Sequence, residues 1–116
     1  MHKMGNAIVE KSFAFAVRIV NLNKYLNETK KEFVLSKQLL RSGTSIGANV
    51  AEAEQAQSAP DFVAKMSIAL KEASETKYWI KLLTATDYLN DSESISILND
   101  CIELEKILVS IIKSSK

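Results

Sequence analysis

The stretch Leu39–Gln57, LLRSGTSIGANVAEAEQAQ, carries two helical patterns at once. One stripe is small or apolar: Leu39, Gly43, Ile46, Val50 and Ala53, in alternating steps of four and three. The other is polar: Arg41, Ser45, Asn49 and Glu52, in steps of four, four and three. Residues at these steps share one side of a helix. A helix resting on a single neighbour needs only one apolar stripe, so this one is built to touch several. Gly43, Gly47 and Ala51 also repeat a small residue every four positions. Each glycine inside a helix costs up to ~1 kcal/mol relative to alanine, which calls for a compensating gain. Close approach of another backbone supplies one; a locally loosened helix is the plain alternative.

Working outward, three more helical segments appear and no strand. The first is expected over 7–27, with Asn6 as its N-cap and a core stripe of Val9, Phe13, Ala16, Val20 and Leu26. Thr29 and Glu32 have the spacing of a capping box, which would start the second helix near Lys30. Ser58-Ala59-Pro60-Asp61 marks a clear boundary, with Ser58 as cap and Pro60 in the first turn, where its missing N–H costs little. Phe62, Met66, Ala69, Ala73, Thr76, Ile80 and Leu83 then alternate four and three without a break, the seam of coiled-coil-like packing. Asn90 and Glu93 can start the last helix. It has two neighbouring stripes, Leu98, Ile102, Val109, Ile112 and Ile97, Cys101, Leu104, Leu108, Ile111. So wide an apolar face implies a central place in the bundle or a subunit interface. Short connections between long helices predict one all-α domain over 1–116, an antiparallel up-down-up-down four-helix bundle.

The 116 residues suffice for one domain with a real core. Net charge is +1, which argues against coating nucleic acid by charge alone. The charge is uneven: residues 1–41 carry eight Lys/Arg against three Asp/Glu. Lys11, Arg18, Lys24, Lys30, Lys31 and Lys37 are therefore candidate phosphate contacts, although a solvated bundle surface is the ordinary reading. Few aromatics accompany them, so base stacking finds little support. The single Cys101 excludes an internal disulfide. With no signal-like run and no long uncharged span, a cytoplasmic protein without membrane contact is expected.

Most catalytic classes lack parts. The one histidine, His2, stands at the terminus, so nucleophilic triads and zinc sites have too few ligands. No Glu-x-x-His pair, GxxxxGK or GxGxxG occurs. Glu52, Glu72 and Glu75, with Trp79 four residues beyond, form the remaining enzyme candidate: an acid raised in pKa against an indole. The structural alternative is that these acids pair with Arg41 or Lys71. No cofactor or metal is expected.

RSGTSIGANVAEAEQAQ followed by DFVAKMSIALKEASETKYWIKLL closely resembles the bacterial 23S rRNA intervening-sequence proteins. The matching positions are Arg41, Ser45, Ile46, Asn49, Val50, Ala51 and Glu52, then Lys71, Glu72, Glu75, Thr76, Tyr78 and Trp79. The resemblance implies a four-helix protomer that assembles into a homopentamer, encoded in some cases within rRNA-gene insertions. A related branch serves diversity-generating retroelements as a basic pentamer working with nucleic acid. This chain, at +1, departs from that basic character. The expectation is thus a non-enzymatic oligomeric interaction module, its assembly motif comprising Arg41, Gly43, Ser45, Gly47, Asn49, Glu52, Glu72, Glu75 and Trp79. Direct RNA or DNA binding, or a protein partner, remains the alternative.

Overall fold

The computed structural model describes residues 6–116, which form helices α1 (Asn6–Glu28), α2 (Leu35–Ala53), α3 (Ala59–Ala85) and α4 (Asp91–Ser115). No strand occurs among the described residues. His2 and the capping side chain expected of Asn6 lie outside what is described. Each helix packs on the next, and α1 and α4 close the circle into a body of 45 × 19 × 19 Å. Along the α2–α3 and α1–α4 seams the contacts run in opposite sequence order. Arg41 meets Glu75 while Glu52 meets Lys65, and Lys11 meets Glu103 while Arg18 meets Asp100.

Local signals set several of the boundaries. The Ser58 side chain accepts from the Asp61 backbone N–H, and Pro60 occupies the first turn of α3. Asn90 and Glu93 form a complete capping box at α4, each side chain bonded to the other's backbone N–H. The expected seam of α3, Phe62 through Leu83, is the set of residues that α3 buries. On α2 the small stripe Leu39, Gly43, Ile46, Val50 and Ala53 is likewise buried, joined by Ser36 and Ser42. Each large apolar side chain so buried stabilises by roughly 1.5–3 kcal/mol. On α4, Ile97, Cys101, Leu104, Leu108 and Ile112 are buried, while Leu98 and Ile111 pack against the core's flank.

Two expectations fail. In α1 the core stripe is Ile8, Ser12, Phe15, Ile19 and Leu26. Of the predicted stripe only Leu26 is buried; Phe13 is 71% exposed and Val20 38%. Two stripes of equal period lie one position apart, and packing selects the one containing Ser12. A β-carbon on Gly47 would stand 3.2 Å from the Ser12 carbonyl oxygen, so only a small α1 residue fits that crossing. The glycines therefore serve close helix approach rather than a loosened helix.

The second failure is at the start of α2. The helix begins five residues after Lys30, and Thr29 makes no capping box; its N–H instead closes α1 on the Tyr25 carbonyl. Lys31 turns the chain at φ 54, in the left-handed region. Glu32 is thereby turned inward, and its carboxylate accepts from the N–H groups of Val34, Leu35 and Ser36 at 3.2, 2.9 and 2.7 Å. A carboxylate at a helix N-terminus satisfies otherwise orphaned donors. The capping residue is the Glu32 carboxylate, not the Thr29 hydroxyl.

Candidate functional site

Two members of the α2 polar stripe, Arg41 and Glu52, reach across to α3. Arg41 donates to Glu75 and, at 3.5 Å, to Glu72. Beneath them the buried Thr76 hydroxyl donates to that of Ser42 at 2.9 Å. One turn-spacing further along, Ser45 donates to the Arg41 carbonyl at 2.6 Å and Asn49 to the Ser45 carbonyl at 2.8 Å, both within α2. Glu52 accepts from Lys65 at 2.9 Å. The three acids proposed as one catalytic cluster are thus divided between two cations, Glu72 and Glu75 on Arg41 and Glu52 on Lys65. Arg41 and Glu52 are eleven residues apart on α2, about 16 Å along the axis.

The raised acid that the enzyme candidate needed is absent at Glu75, and the structural alternative, pairing with Arg41, is what Glu72 and Glu75 adopt. Trp79 donates its indole N–H to Glu75 at 3.1 Å. That bond, opposed by burial and reinforced by Arg41 and Lys71, holds the Glu75 carboxyl below the usual carboxylate range. An ionised, tied carboxylate is a poor general acid. Burial pushes the Cys101 thiol up to about 12, and it donates to the Ala73 carbonyl, so its nucleophilic form is suppressed. Among the described residues no cluster of three His, Cys, Asp or Glu could hold a metal ion, and no helix is long and apolar enough to cross a membrane.

The outer face of α1 is different in character. Phe13, Val17 and Val20 are 71%, 46% and 38% exposed at spacings of four and three. Beside them runs a groove of about 340 Å³ between α1 and α2, lined by Val9, Phe13, Ala16, Gly47, Ala48 and Ala51 among others. Phe13 and Val20 of the predicted core stripe of α1 thus border water.

The six candidate cations do not act together. Arg18 pairs with Asp100 at 2.6 Å and also donates to Ser96, while Lys11 pairs with Glu103 at 3.3 Å. Both are cross-links from α1 to α4. Lys24, Lys30, Lys31 and Lys37 enter no ion pair among the described residues. Phe33 and Val34, 59% and 72% exposed, stand among them. Sequence reasoning missed this pair; the available signal was an apolar Phe-Val following Lys-Lys-Glu in a connection that should be polar.

The profile of the 23S rRNA-intervening sequence protein family matches residues 5–110. The chain belongs to that family. A solved structure, of a protein of unknown function from the S23 ribosomal protein family of Bacteroides thetaiotaomicron, superposes with a TM-score of 0.92. It is 60% identical, over 93% of this chain and 96% of that one. No functionally curated protein matches. In this intervening-sequence protein the α2 motif divides by depth. Ile46 and Val50 are core, and Arg41 and Glu52 lock α2 to α3 within one chain.

Proposed function

We propose that this intervening-sequence protein is a non-enzymatic, cytoplasmic, self-associating bundle that acts as an interaction and assembly module. The exposed strip Phe13, Val17, Val20 beside an apolar groove carries the reading. Single exposed apolar residues are ordinary, but a continuous stripe along a helix is the mark of a covered surface. A second copy of this chain is the occupant, and the family resemblance implies five. The catalytic alternative loses support because Glu52, Glu72 and Glu75 are separated and paired. Arg41, Gly43, Ser45, Gly47, Asn49, Glu52, Glu72, Glu75 and Trp79 then build the protomer, and the α1 strip joins protomers.

Light scattering on the purified protein tests this. The expected mass is five times the 12.9 kDa of one chain. Phe13→Asp with Val17→Asp, both at exposed positions, should give single chains with unchanged helical content. A wild-type protein running at one chain's mass would refute the proposal.

A further inference from the structure

The connection between α1 and α2 gathers Lys30, Lys31, Phe33 and Val34, with Lys24 one turn before it and Lys37 in the first turn of α2. All are exposed, and none of the four lysines has an ion-pair partner among the described residues. The one acid inside this connection, Glu32, is turned inward onto three backbone N–H groups. Its charge is used against the end of α2 and does not face outward with the lysines. Glu28 is the exposed acid that remains in the segment. The turn therefore presents unpaired cations around a bare aromatic ring, although the whole chain is nearly neutral.

We infer that the α1–α2 turn is a docking site for single-stranded nucleic acid, with Lys24, Lys30, Lys31 and Lys37 against phosphates and Phe33 stacked on a base. Cations tracking a backbone beside an aromatic platform are the elements such binding uses. Duplex binding needs no exposed ring, since its bases are already stacked. An anionic membrane fits less well, for a reason in the fold. The α3–α4 turn lies at the same end of the bundle, where Tyr25, Leu89 and Glu93 line one groove. Asp87, Asp91 and Glu93 are exposed there. A broad negative surface would meet both turns, acidic and basic together, whereas a thin strand can follow the basic turn alone. The site lies on one chain and so stands apart from the self-association reading; assembly would multiply it by avidity.

Fluorescence anisotropy with a labelled single strand of roughly 16 nucleotides at about 50 mM salt tests the inference. Wild type should bind, with affinity falling steeply as salt rises. Lys30→Gln, Lys31→Gln and Lys37→Gln together should weaken binding roughly tenfold or more, and Phe33→Ala by a similar factor. Lys11→Gln, at a cation already paired with Glu103, should leave it unchanged. The chain carrying Phe13→Asp and Val17→Asp should still bind as single chains, which separates failure here from failure of the assembly proposal. No binding by wild type, equal affinity of the triple variant, tighter binding to duplex, or capture by phosphatidylserine vesicles with no binding to the strand would each overturn it.

Discussion

Gly43 of α2 faces Ile19 of α1 so closely that a β-carbon on the glycine would lie 2.7 Å from the isoleucine Cγ1 and 2.8 Å from its Cγ2. Alanine is the better helix former by up to ~1 kcal/mol, yet here the clash decides. Gly43→Ala should destabilise by about 1–3 kcal/mol, the usual cost of overpacking. In an Ile19→Ala background the clashing atoms are gone, so the same substitution should cost less or become favourable. Urea denaturation of the four proteins in a double-mutant cycle gives the coupling. Additive effects would contradict the close approach.

Glu32 couples pH to the start of α2. Burial alone would raise its pKa, but the N–H groups of Leu35, Ser36 and Val34, with the Ser36 side chain, outweigh it and hold the carboxyl below its ordinary value. A depressed folded pKa contributes stability that is present above the unfolded carboxyl pKa, about 4.3. That contribution is lost as pH falls through the folded value. Glu32→Ala should cost about 1–3 kcal/mol at neutral pH by leaving amides unbonded. The gap from wild type should close on acidification below pH of about 4. A gap independent of pH would show that the charge is irrelevant.

Lys31 offers a substitution that separates stability from binding. Its φ of 54 is strained for a residue with a β-carbon. Lys31→Gly should raise stability by about 0.5–1 kcal/mol, after the entropy cost of glycine, while weakening strand binding through the lost charge. Thermal melts and anisotropy on one sample would show the two moving in opposite directions.

Trp79, the chain's single tryptophan, reports on Glu75 through the indole hydrogen bond. Its fluorescence should titrate with a midpoint below the ordinary carboxylate pKa of about 4.3, and Glu75→Gln should remove that transition. An unchanged titration in the variant would assign it to another group.

Cys101 should resist alkylation in the native protein at pH 8, because its thiol titrates near 12. It should react readily once the chain is unfolded, where the ordinary pKa is about 8.5. Labelling followed by mass measurement in native buffer and in denaturant checks this.

Much of this protein is legible in the sequence because the deciding interactions are local. Ser58 with Asp61 and Asn90 with Glu93 bond within one helical turn, so spacing alone reveals them. The seam of α3 is legible because its apolar or small residues alternate steps of four and three without a break from Phe62 to Leu83. The glycines of α2 announce a close neighbour without naming it.

Tertiary structure decided the rest. In α1 two stripes of identical period compete, and period cannot choose between them. The choice falls to the crossing at Gly47, which admits Ser12 and leaves Phe13 outside. The candidate acids look like one group until α3 is laid beside α2, where Lys65 takes Glu52 and Arg41 takes the other two. Likewise Lys11 and Arg18 are indistinguishable in sequence from Lys30 and Lys31 until α4 supplies Glu103 and Asp100. Periodicity and capping are written along the chain by short-range geometry. Which face is buried, and which charges are free, depends on what another helix places opposite them.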